Sequence, residues 1–179
     1  MGFRLNSENS IEGLKNIKWK EVRDYALIVL AVILIRSFIM TPALVNGGSM
    51  DDTLKDGQLV ILNKIVYKFK DINRFDIVVV KNYEGRDKII KRVIGLPNET
   101  IEYKDNLLYI NDELVKTDFD FKDTEDFSVT TSDGEYFVMG DNRPVSKDSR
   151  MLGNFTKKEI VGKVTIRLYP FNKIGKIDK

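Results

Sequence analysis

Between Val22 and Met40 the chain is apolar almost throughout: YALIVLAVILI fills 25–35, Arg36 interrupts, and SFIM follows. About 20 predominantly apolar residues cross a bilayer, so 22–40 reads as one transmembrane helix, with Arg23 and Arg36 reaching toward opposite interfaces. Beyond Pro42 the pattern changes. Short runs rich in Val, Ile, Tyr and Phe recur between Asp, Asn and Gly, which predicts strands: QLVILNK (58–64), DIVVVKN (76–82), KIIKRVI (88–94), TIEYK (100–104), NLLYI (106–110), EYFVM (135–139) and IVGKVTIRLY (160–169). Lys104-Asp105-Asn106 predicts a hairpin turn. The runs lie too close together for crossover helices, so the expected fold is mostly β and antiparallel. Residues 116–134, acidic with scattered aromatics, read as an exposed insertion or long hairpin.

The apolar segment has two other readings. A buried helix needs a larger core around it than this chain supplies. A cleavable leader fits the basic flank, but Ile39, Met40, Thr41 and Pro42 lack small-x-small spacing after the core. An uncleaved anchor fits best. Arg4, Lys15, Lys18, Lys20 and Arg23 precede or open the span, whereas after Arg36 the next basic residue is Lys55. The positive-inside rule then places residues 1–21 in the cytoplasm and the rest across the membrane.

Composition removes several classes of function. With 29 basic and 27 acidic residues the net charge is +2, so no overall field attracts nucleic acid. There are no cysteines and no histidines. Disulfide frameworks, thiol catalysis and a Ser-His-Asp triad are excluded, and any metal would need an all-oxygen site, for which no carboxylate loop is present. No metal and no cofactor are expected.

A serine nucleophile would have to pass its proton to a lysine or a carboxylate. Ser49 lies in VNGGSMDDTL, where the plain reading is a turn serine. Lys91 lies in KIIKRVI; alternation puts it on one face with Ile89 and Val93, and Arg92 on the other with Ile90 and Ile94. If that face is inward, desolvation lowers the lysine pKa and a neutral amine can act as a base; the plain reading is a lysine on a solvated edge strand. MGDNRPVSKDSRMLG (139–153) reads either as a solvated loop of Asx turns or as a buried ion-pair cluster. In the second reading Asp141, Arg143, Asp148 and Arg150 shape a site and Ser146 orients an amine.

In this order, GGSMDDTL, FDIVVVKN, KRVIGLPNETIEY and FVMGDNRPVSKDSRMLG behind an apolar span resemble the boxes of bacterial type I signal peptidases, over residues 20 to about 168. The resemblance implies a Ser-Lys endopeptidase that removes signal peptides from secretory preproteins at the outer membrane surface. It implies Ser49 as nucleophile, Lys91 as general base, Ser146 as hydroxyl partner of the lysine, and an Arg92–Asp141 ion pair. A preprotein would add as a strand near Pro42–Val45 and Lys88–Ile90, with Pro42, Val45, Met50, Ile89 and Ile90 at the substrate and a preference for Ala-x-Ala. The implied fold is a catalytic β domain (41–102 and 135–170) with a small inserted β module (103–134) and a tail (171–179). The expected partners are preproteins and membrane lipid, with no nucleic acid.

Three positions depart from the family pattern. Asp52 stands in place of proline and Asn98 in place of glycine, and Gly47 offers no side-chain hydroxyl to an oxyanion. Two other functions share parts of this pattern. One is a self-cleaving Ser-Lys protease of the repressor type, against which the span from 22 argues. The other is an anchored β module with weak or lost activity.

Overall fold

The computed structural model of the chain describes residues 18–35, 39–51, 53–81, 87–117 and 123–177. It divides into two units, 1–38 and 39–179. The first contains a helix, Trp19–Leu34, whose 16 residues bury no side chain. Among the described residues no helix is long and apolar enough to cross a membrane. The expected span 22–40 includes 36–38, which lie outside the described residues. Its last residue belongs elsewhere: Met40 opens a strand.

The second unit is antiparallel β, as expected. Its strands are β1 (Met40–Leu44), β2 (Leu59–Asn63), β3 (Ile77–Lys81), β4 (Lys88–Gly95), β5 (Thr100–Lys104), β6 (Leu107–Ile110), β7 (Glu113–Leu114), β8 (Phe127–Thr130), β9 (Glu135–Met139), β10 (Phe155–Thr156), β11 (Ile160–Tyr169) and β12 (Gly175–Lys176). One sheet runs β1-β2-β11-β3-β4-β9-β10, with β12 paired to β11. So the residues expected as a tail return to the sheet, Lys176 opposite Ile166. The second sheet runs β7-β6-β5-β8 and includes all of Thr100–Lys104, across the expected junction at 102 and 103.

The main sheet is covered on both faces, which explains the continuous apolar run of β3. Ile77, Val78, Val79 and Val80 are all buried. Val78 and Val80 pack with Val93, Val138 and Phe155 on one face; Ile77 and Val79 pack with Met50, Leu54, Val60 and Leu62 on the other. A third cluster joins the two sheets, with Phe137 and Met139 against Ile101, Tyr103 and Leu108. The turn between β5 and β6 holds Asp105 at φ 51° and Asn106 at φ 62°. Two consecutive left-handed residues close a two-residue hairpin, and Asn and Asp tolerate that conformation best after glycine.

Candidate active site

The segment that carries Ser49 is a loop pinned from below. Val45 donates to the Gln58 carbonyl at 2.8 Å and accepts from Gly57 at 2.9 Å. Gly47 turns the chain with φ +88°, and its N–H donates to Asp56 Oδ1 at 2.7 Å. A turn of helical hydrogen bonds follows, Leu54 to Met50 at 2.7 Å. Val45, Met50 and Leu54 drive this loop into the core, where they are at most 3 % exposed, and Ser49 is left half-buried on top.

Lys91 meets it from β4. The lysine is only 2 % exposed, and its Nζ donates to Ser49 Oγ at 2.7 Å. Its neighbours on that face are Ile89, Val93 and, across the ladder, Val78. Burial among them lowers its pKa from 10.5 to about 8; Asp148 and Asp141 oppose the shift and Arg150 adds to it. In the neutral amine the same contact can run the other way, with Ser49 donating.

Arg92, the next residue, points to the opposite side and forms a two-bond pair with Asp141, Nε to Oδ1 at 2.8 Å and Nη2 to Oδ2 at 2.7 Å. Thr53 Oγ1 donates to the same carboxylate at 2.6 Å and accepts from Arg92 at 3.0 Å, so the Ser49 loop, β4 and the 139–153 segment meet at one knot. Behind it, Asp148 accepts from the Gly140 N–H at 3.0 Å and from Arg150 Nε at 2.9 Å. Arg143 donates to the Gly140 carbonyl at 3.0 Å and to Thr124 at 2.9 Å, and its guanidinium lies 4.8 Å from the centre of the Tyr103 ring. The segment is therefore a buried ion-pair cluster and not a solvated loop.

Ser146 is 5 % exposed and reaches the same wall of the site, but its Oγ makes no hydrogen bond to Lys91 or to any other described residue. It rests instead against Gly140. A β-carbon at Gly140 would overlap both Ser146 Oγ and the Ser49 carbonyl oxygen. Gly140→Ala should therefore push Ser49 out of line. Displacements of about 1 Å can cost about 10²-fold and overpacking a filled site costs about 1–3 kcal/mol, so a loss of that size in kcat together with a lowered melting temperature is the expected result. Full activity in Gly140→Ala would show that the contact is slack.

Of the residues expected at the substrate, Pro42 is exposed and Ile89 and Ile90 are half-buried. Val45 and Met50 are buried beneath the loop, so they support it and present no surface. Both backbone groups of Val45 are already bonded, so a strand added along β1 would pair no further than Leu44. Among the described residues no strand pairs with the outer edge of β1, and β9 pairs with β4 only from Arg92 onward.

Asp52 lies outside the described residues. Asn98 sits at φ 60°, a conformation that asparagine adopts more readily than most residues, so the exchange from glycine is accommodated. Sequence reasoning missed three participants: Thr53, Gly140 and Asn142. Asn142 Nδ2 donates to the Gly48 carbonyl at 3.0 Å, and its N–H donates to the Ser49 carbonyl at 3.1 Å. All three stood inside the quoted motifs, but nothing local marked them as partners of residues 39 to 94 positions away. Among the described residues no group of three or more potential ligands stands together to hold a metal ion.

Residues 18–169 match the model of the family described as signal peptidase, peptidase S26. A signal peptidase I from Bacillus licheniformis is 38% identical over 185 residues, covering 96% of this chain and 100% of that protein. A signal peptidase IB from Staphylococcus aureus is 35% identical over 177 residues, covering 88% of this chain and 91% of that one. A crystal structure of a signal peptidase I from Enterococcus faecalis superposes with a TM-score of 0.49 at 35% identity, covering 54% of this chain and 98% of its own. A match across most of the chain, carried by relatives aligned nearly end to end, leaves one conclusion: this protein belongs to the signal peptidase family, peptidase S26.

Proposed function

We propose that this chain is a membrane-anchored serine endopeptidase that removes N-terminal signal peptides from secretory preproteins through Ser49 and Lys91. The contact of a buried lysine with a serine hydroxyl at 2.7 Å carries the reading. Neutral Lys91 takes the proton from Ser49 as Oγ attacks the scissile carbonyl carbon. The oxyanion is held by the Ser49 N–H, and the lysine ammonium protonates the departing amine. Lys91 then takes a proton from water, which attacks the acyl ester and frees Ser49. The ammonium has three protons to place. The buried hydroxyl of Ser146, without another partner among the described residues, suits the orienting role inferred for it. The preprotein adds along the edges of β1 and β4, and small pockets select Ala-x-Ala. The apolar segment that begins at Val22 serves as the anchor, with the N-terminal tail in the cytoplasm and the β domain outside.

The test is direct. The detergent-solubilised chain is incubated with a preprotein carrying an Ala-x-Ala site, and the product is sized and its new N-terminus sequenced. A shortened product cut after that site is expected; an intact preprotein at all pH values would overturn the reading. The pH dependence follows from Lys91. Only the neutral amine accepts a proton, so the rate is low below its pKa, rises with a midpoint near 8 and then levels. A midpoint near 10.5, the ordinary lysine value, would remove Lys91 as the base.

A further inference from the structure

The Ser49 N–H is the one oxyanion donor that the proposed reaction assigns, because Gly47 has no side chain to add a second. Its aim therefore matters. Ser49 is preceded by Gly47 and Gly48, the residue type whose backbone is least restrained, so hydrogen bonds must impose the orientation; within the loop the Asp51 N–H donates to the Gly48 carbonyl at 3.1 Å. Asp56 holds the Gly47 N–H at 2.7 Å on one side. Asn142 holds the other side, and it grips two successive peptides, Gly48–Ser49 through Nδ2 and Ser49–Met50 through its own N–H.

The carbonyl that Nδ2 engages belongs to the same peptide unit as the Ser49 N–H. In a planar trans peptide the two point in opposite directions, so fixing the Gly48 oxygen at 3.0 Å fixes where the N–H aims. Donation to that oxygen also polarises the peptide and strengthens its N–H as a donor. The carboxamide has no competing local duty: Asn142 precedes the 3-10 turn Arg143–Val145 but its side chain makes no capping bond to it. We propose that Asn142 is a positioning residue that aims the oxyanion-holding N–H of Ser49 by anchoring the Gly48 carbonyl. The proposal rests on the Ser49–Lys91 reading above. It extends that reading to a residue with no part in proton transfer.

The full chain in detergent is compared with Asn142→Ala and Asn142→Asp, using a peptide with an Ala-x-Ala site. Inhibition is measured with a matching peptide aldehyde, whose carbonyl becomes an oxyanion on Ser49, and with the corresponding alcohol, which forms none. Removing an oxyanion donor outright costs about 10²–10³ in kcat, and misaiming one should cost about 10- to 100-fold. Asn142→Ala should lose that much in kcat with KM within about twofold, and the preference for aldehyde over alcohol should fall by the same factor. The midpoint of its pH profile should not move. Asn142→Asp sets a carboxylate oxygen against the Gly48 oxygen and should lose more. The inhibitor ratio does not depend on how much of a variant folds, so a poorly folding preparation still reads out. An intact aldehyde preference, or a loss confined to KM, would overturn the role of Asn142. Ser49→Ala is assayed alongside: cleavage surviving there overturns the dyad itself, whereas an inactive Ser49→Ala beside full aldehyde preference in both Asn142 variants overturns the positioning role alone.

Discussion

Ser49→Ala and Lys91→Ala should each lower kcat/KM for preprotein cleavage by about 10³-fold or more, and the double variant should be no worse than either single one. Nucleophile and base act as a unit, so removing the second after the first removes nothing further. Additive losses would mean that the two residues serve separate steps. Stability separates lost chemistry from a lost fold. The folded lysine has its pKa lowered to about 8 from 10.5, so between those values the unfolded chain binds more protons and stability rises with pH. Below about pH 8 the cost of burying an ammonium is fully present. Lys91→Met keeps the length and the apolar stem and removes that cost. Its melting temperature at pH 7 should equal or exceed that of the parent, and the rise in stability from pH 8 to 10.5 should vanish, while cleavage is abolished. A Lys91→Met protein that melts early would mean that the amine is needed for folding.

Asp141→Ala should be the most damaging single change to the fold around the site. Arg92 is 1 % exposed and rests on the Asp141 carboxylate through two bonds. Deleting the carboxylate leaves a buried guanidinium without its counter-charge, which costs about 3–5 kcal/mol. At this chain length that lowers the melting temperature by about 10 °C. Thr53 loses its acceptor in the same step, so activity should fall at temperatures where the variant is still folded. Arg92→Met with Asp141→Leu removes both charges, and most of the stability should return, because replacing a whole buried pair by apolar side chains is often neutral. Calorimetry of the three variants at one pH is sufficient. A melting temperature for Asp141→Ala within about 2 °C of the parent would mean that water reaches Arg92.

Much of this site was legible because it is written in period-two order. The alternation in KIIKRVI separates Lys91 from Arg92 and sets Lys91 with Ile89 and Val93, but alternation alone left open whether that face is inward or solvated. The longer strands were legible as runs rich in Val, Ile, Tyr and Phe set between Asp, Asn and Gly. Glu113–Leu114, Phe155–Thr156 and Gly175–Lys176 were not: two residues have no period, and each exists only because a neighbouring strand offers hydrogen bonds. Met40 is as apolar as the run before it, and only its pairing with Asn63 assigns it to a strand. Thr53, Gly140 and Asn142 act through contacts between distant segments, and Gly140 acts by the absence of a side chain, which no pattern of apolar and polar positions records.

The placement of lysine and arginine side by side on β4 also bears on folding fidelity. A strand that slips by one position turns every side chain to the other face. On β4 a slip one way would set Arg92 opposite Ser49 and Val93 at Asp141, and a slip the other way would set Ile90 opposite Ser49 and Lys91 at Asp141. Both faces of this sheet accept apolar residues, so packing alone discriminates weakly among these arrangements. Neither slip leaves a base at Ser49, because isoleucine carries none and a guanidinium never gives up its proton at physiological pH. The two-bond fit of Arg92 to Asp141, which an ammonium cannot reproduce, thus acts as a registration mark: it is made only in the register that sets Lys91 beside Ser49.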